Sequence, residues 1–70
     1  MNRFIEVLLR AKYDPNFKKL TDIIIVIKHR GTVGDIKEID GNDVTDVKKN
    51  GFYFSDTFIP SHRIIELKYK

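Results

Sequence analysis

The sequence predicts an α+β fold: an N-terminal helix followed by about five short antiparallel strands, forming a small barrel of the Sm-like or SH3-like kind or an open curled sheet. Three observations predict it. An apolar stripe with helical spacing opens the chain, runs of β-branched and aromatic residues follow it, and turn dipeptides punctuate those runs. Ile fills ten positions and Phe five, and both residue types pack well on a pleated surface. A chain of 70 residues hides only about 60% of the surface its unfolded form exposes. One domain over residues 1–70, with a single well-filled core, is therefore expected.

Residues 2–12 read as the helix. Phe4, Ile5, Leu8 and Leu9 form one stripe, with Arg3, Glu6 and Arg10 outside it. Asn2 is placed to cap the start, and Asp14-Pro15 ends the element because the residue before proline resists helical angles. Tyr13 and Phe17 flank this stop and should seal the helix onto the fold. Residues 22–29 form the clearest strand: Ile23, Ile25 and Ile27 point one way, Ile24 and Val26 the other, so the strand should be central. Asp40-Gly41 should separate a strand at 35–39 from one at 44–48, and Asn50-Gly51 that strand from one at 52–55. Both dipeptides can supply the positive φ of a tight hairpin. Ser55-Asp56 is a further turn and 57–59 a short strand. Pro60 should interrupt pairing before residues 62–69 close the sheet. In that last strand, strict alternation sets Arg63, Ile65, Leu67 and Tyr69 on one face, and His62, Ile64, Glu66 and Lys68 on the other.

Several function classes drop out. The absence of cysteine removes disulfides and thiolate metal sites. The longest apolar run, residues 23–27, is far short of the roughly 20 residues that span a bilayer. The first ten residues lack the pattern of a secretory leader. A cytoplasmic protein with no membrane partner is the expectation. No zinc pattern, phosphate-binding glycine loop or nucleophile elbow is present, so neither a metal nor a cofactor is expected. The acidic group Asp40, Asn42, Asp43 and Asp46 lacks EF-hand spacing, and turn chemistry explains it.

Lys and Arg number 13 against 10 Asp and Glu, a formal excess of +3. That permits a polyanion partner without requiring one, so clustering decides. Positive groups gather in two places. Lys28-His29-Arg30-Gly31 follows the central strand directly: Arg offers a planar fork for phosphate, and Gly lets a ligand approach the backbone. Ser61-His62-Arg63 follows a proline-led turn just before the last strand. If the first and last strands lie side by side, both His-Arg pairs would line one pocket. Tyr53, alternating outward between core-facing Phe52 and Phe54, is a further candidate for base contact. Lys18-Lys19 and Lys48-Lys49 read as solvated loop and turn residues.

Tyr13-Asp14-Pro15, His29-Arg30-Gly31, Asp35-Ile36-Lys37 and Ile59-Pro60-Ser61-His62-Arg63-Ile64 together resemble the RNA cyclic group end recognition domain of archaea and eukaryotes. The likeness runs from about Phe4 to Leu67 in the same order and spacing. It implies an RNA partner, and RNA ends carrying a 3′-phosphate or a 2′,3′-cyclic phosphate. It also implies His29, Arg30, Gly31, Lys37, His62 and Arg63 as site positions, to which the residues themselves add Lys28 and Tyr53. This chain has Ser61 where the family often carries an aromatic, so base stacking is not implied there. The family is fused elsewhere to RNA-processing domains, which brings RNA-processing proteins in as candidate partners.

Three alternatives stay open. His29 and His62 could act as base and acid of an RNA-processing phosphoesterase, since imidazole titrates near working pH. Two-histidine cyclic phosphodiesterases, however, resemble a pattern of His, any residue, then Ser or Thr, whereas Arg30-Gly31 and Arg63-Ile64 follow the histidines here. A binding module rather than an enzyme is thus expected. The histidines could instead satisfy strand-end carbonyls, with Asp35, Glu38 or Glu66 neutralising the arginines. A small barrel could also serve as a protein interaction module or assemble into a homo-oligomer.

Overall fold

The computed structural model describes residues 2–31 and 33–70. Helix α1 spans Arg3–Tyr13. Asn2 caps it as expected: its side-chain oxygen accepts from the Phe4 N–H at 2.8 Å and the Ile5 N–H at 3.4 Å. The stripe buries Ile5, Leu8 and Ala11, with Phe4 and Leu9 packed beside them. Phe17 joins that packing, and the Arg10 guanidinium lies over its ring at 4.3 Å. Tyr13, expected to seal the helix, is instead exposed.

Among the described residues, six strands follow in two antiparallel sheets. In the first, β1 (Ile23–Lys28) lies between β2 (Ile36–Asp40) and β6 (Ile64–Tyr69). In the second, β4 (Gly51–Phe54) lies between β3 (Val44–Lys48) and β5 (Thr57–Pro60). The first and last strands are therefore neighbours. Ile23, Ile25 and Ile27 face a core shared with Ile5 and Leu8 of α1, Ile39 and Ile64 of the first sheet, and Val47, Phe52 and Ile59 of the second. Each such fully buried side chain contributes about 1.5–3 kcal/mol. On the opposite face, Lys68 reaches Glu38 and Lys70 reaches Asp40, both at 2.7 Å. The first of these pairs spans β1, where Val26 is only 2% exposed. Long lysine stems can cover apolar surface in this way while the ammonium stays in water.

The fold is α+β, but the described strands form two sheets instead of one closed barrel. The chain crosses between the sheets twice, through the single 3₁₀ turns Gly41–Asp43 and Ser61–Arg63. Asp40-Gly41 is thus a crossing and not a hairpin, and Pro60 ends β5 before a crossing and not a break within one sheet. The glycines of the two turn dipeptides also serve a different purpose from the one expected. Neither Gly41 nor Gly51 has positive φ. A Cβ on Gly41 would stand 2.0 Å from the Leu20 carbonyl oxygen, and one on Gly51 2.1 Å from that of Ile59. Close backbone approach requires them. Asn50-Gly51 does join β3 to β4, and Ser55-Asp56 joins β4 to β5 with both residues at positive φ, 46° and 65°, as a primed hairpin turn demands.

The last strand departs from strict alternation. Val26 pairs with Glu66, but Ile27 pairs with Ile64. Ile65 is the extra residue of a β-bulge. The bulge lets both Ile64 and Leu67 face the core and leaves Ile65 40% exposed.

Candidate functional site

One end of the first sheet gathers the chemistry-bearing residues. There β1 finishes, β2 begins, and the 3₁₀ turn delivers the chain into β6. A cleft of about 760 Å³ opens at this end, lined by Lys28, His29, Arg30, Gly34, Asp35, Ile36, His62, Arg63 and Ile65. Two segments, residues 28–36 and 62–65, meet there because β1 and β6 pair directly.

The β1–β2 connection is tightly folded. The His29 backbone N–H donates to the Asp35 carbonyl at 2.8 Å, closing the loop just beyond the last strand pair, Lys28 with Ile36. Gly31, Gly34 and Asp35 all have positive φ, at 90°, 71° and 56°. Glycine takes that conformation freely and aspartate tolerates it, whereas most residues do not. The opposite wall is fixed where its turn begins: the Ser61 N–H donates to the Asn50 carbonyl at 2.8 Å, and the Asn2 amide donates to the Ser61 carbonyl at 3.4 Å. The helix cap and the β3–β4 hairpin thus hold the turn that carries His62 and Arg63.

Charge is sorted across the molecule. The cleft contains three permanent cations (Lys28, Arg30 and Arg63), two imidazoles and one carboxylate, Asp35. Elsewhere three carboxylates are held by lysines. Glu38 binds Lys68, Asp40 binds Lys70, and Asp46 binds Lys12 and, at 3.0 Å, Lys48. Hydrogen bonds from those two lysines hold the Asp46 carboxyl well below the usual carboxylate range, and bonds from Lys70 and the Asn42 N–H lower that of Asp40. Among the described residues no carboxylate forms an ion pair with Arg30 or Arg63. Both guanidiniums are exposed, so they can carry their charge in water. Their convergence, and not their burial, marks the cleft as anion-attracting.

Of the residues singled out from sequence, the cleft unites Lys28, His29, Arg30, His62 and Arg63. Gly31 lies in its loop, where a Cβ would meet open space, but does not line it. Lys37 is directed elsewhere: its ammonium sits 5.1 Å from the centre of the Phe54 ring. Tyr53 lies on the outer face of the second sheet, 5.2 Å from Phe58. Sequence reasoning missed Ile36 and Ile65 as lining residues. Ile36 lies in the Asp35-Ile36-Lys37 motif, and alternation sets Ile65 on the same face as Arg63, which also lines the cleft. A smaller depression of about 450 Å³ beside Arg3, Glu6, Val7, Leu9 and Arg10 lacks histidine and balances its charges more closely.

Among the described residues, no group of three or more His, Asp or Glu side chains could hold a metal ion, and no helix is long and apolar enough to cross a membrane. A family model described as the MJ1316 RNA cyclic group end recognition domain matches residues 1–70. The UPF0248 protein of Thermococcus sibiricus is 45% identical over 60 residues, which span 86% of this chain and 67% of that one. The UPF0248 protein of Methanocaldococcus jannaschii is 38% identical over 65 residues, spanning 93% and 79%. That of Pyrococcus horikoshii is 37% identical over 62 residues, spanning 89% and 72%. No solved structure matches the chain.

Proposed function

This chain belongs to the RNA cyclic group end recognition domain family, and from that premise we propose that it binds RNA at a phosphate-bearing 3′ end. The end group is a 3′-phosphate or a 2′,3′-cyclic phosphate, held in the cleft at the end of the first sheet. Arg30 and Arg63 present forked donors to the phosphate oxygens, Lys28 adds a point charge at the rim, and His29 and His62 donate hydrogen bonds. Lys37, Gly31 and Tyr53 contribute outside the cleft, to the phosphates and bases that precede the end. The single observation that carries the reading is the cleft's lining, with both His-Arg pairs and Lys28 against one carboxylate.

Titration of otherwise identical RNA oligonucleotides ending in 3′-phosphate, 2′,3′-cyclic phosphate or 3′-hydroxyl tests it. Tighter binding of the phosphate-bearing ends is expected. Equal affinity for all three would remove end recognition and leave general RNA binding.

One observation favours a second reading. Both imidazoles line the same cleft, so one could take a proton from water while the other protonates the departing ribose oxygen of a cyclic phosphate. We expect a cyclic-phosphate oligonucleotide to stay intact through prolonged incubation with the protein. Conversion to a monoester that is lost in His29→Ala and His62→Ala variants would establish the phosphoesterase instead.

A further inference from the structure

We infer that the cleft also carries a subsite for the terminal base, with Ile36 and Ile65 as its apolar wall and Asp35 as the acceptor for an amino group of that base. The inference rests on the proposed binding of an RNA end and assigns the part of the cleft that a phosphate does not use. Ile36 and Ile65 are 43% and 40% exposed, among the most exposed large apolar side chains of a chain that buries most of its isoleucines. Both line the cationic cleft. Ile65 is the extra residue of the β-bulge and stands exposed beside the buried Ile64; bulges are frequent beside binding sites. A phosphate has no use for an isoleucine, whereas a flat base covering both would remove apolar surface from water.

The cleft volume of about 760 Å³ lies within the roughly 300–1,000 Å³ of small-molecule sites, far more room than one phosphate fills. Asp35 is the only carboxylate among the lining residues and is held there at φ 56°. A carboxylate weakens phosphate binding, but an exposed one in the cleft is free to accept from a donor on the rest of the ligand. Carboxylates accept from amino groups on base edges. Adenine, cytosine and guanine carry such a group, and uracil does not.

The probes are RNA oligonucleotides with a common sequence and a 3′-phosphate on a terminal A, C, G, U or abasic residue. Relative to the amino-bearing ends, the abasic end should bind about tenfold more weakly, and the uridine end should fall between. Ile65→Ser and Ile36→Ser should weaken base-bearing probes and leave the abasic probe unchanged. Asp35→Asn should narrow the gap between uridine and the other three, because an amide carbonyl accepts less strongly and its amino group can donate to uracil. Thermal unfolding checks that each variant folds. Equal binding of all five probes, or equal losses for base-bearing and abasic probes in the Ile variants, would overturn the base subsite while leaving phosphate-end binding in place. Failure of every phosphate-bearing probe to bind would remove the proposed function itself.

Discussion

Arg30 and Arg63 differ from Lys12, Lys48, Lys68 and Lys70 in having no carboxylate paired with them among the described residues. Removing either should therefore cost the fold little and the ligand much. Arg63→Ala is expected to leave the melting temperature nearly unchanged and to weaken binding of a 3′-phosphate oligonucleotide by about tenfold or more, the usual scale for one charge-assisted contact. Arg63→Lys should recover only part of that loss, because an ammonium cannot present the planar fork. Calorimetric titration and thermal unfolding read the two effects separately. Asp46 is the opposite case, a charge whose work is internal. Its carboxyl is held below the usual range by Lys12 and Lys48, so folding favours its ionised form. The resulting stability is fully present above the carboxylate's unfolded value of about 4 and is lost as pH falls below it. Asp46→Asn should lower stability at pH 7 and flatten its fall with acid. Denaturant unfolding at several pH values checks the sign.

Among the elements, α1 and β1 were legible because each carries a dense apolar pattern, although Phe4, Leu9 and Ile24 are only partly buried and Ala11, outside the expected stripe, is buried. The β4–β5 hairpin was legible from Ser55-Asp56, although neither residue suits positive φ as well as Asn or Gly does. Replacing the pair with Asn-Gly should stabilise the chain by roughly 0.5–1 kcal/mol, a rise of several degrees in melting temperature for a domain of this size. Asp40-Gly41 was misread for a physical reason: a glycine after aspartate fits a hairpin and equally fits a tight backbone crossing. Because the Leu20 and Ile23 carbonyl oxygens occupy the space beside Gly41, Gly41→Ala should destabilise by roughly 1–3 kcal/mol. A hairpin glycine at positive φ would fail through backbone strain instead, so a crystal structure of the variant would show whether the Gly41–Asp43 turn has been pushed away from the Leu20–Ile23 segment. The bulge at Ile65 left no mark in the sequence. Its cause is the register of β6 against β1, which a single strand cannot reveal.

At the scale of the whole molecule, the two His-Arg pairs could be proposed as neighbours from sequence only by assuming that the terminal strands pair. That assumption holds even though the barrel that suggested it does not close. Long-range electrostatics should follow the sorted charge. With Lys28, Arg30 and Arg63 at RNA phosphate, the logarithm of affinity should fall with the logarithm of salt concentration at a slope of about −0.7 for each phosphate neutralised, and Arg63→Ala should reduce its magnitude. Binding at several salt concentrations measures both. A slope near zero would place the contacts away from phosphate.

The 3₁₀ turn Ser61–Arg63 has a consequence for cooperativity. It belongs to neither sheet, yet it is anchored to the helix cap by Asn2 and to a hairpin of the second sheet by Asn50, and it leads straight into the first. Half of the cleft is therefore mounted on a seam that exists only while helix and both sheets remain docked. Opening any one of them locally would dissolve the site, so occupancy should slow amide exchange throughout the chain and not merely around the ligand. Amide exchange with and without a 3′-phosphate oligonucleotide measures that coupling.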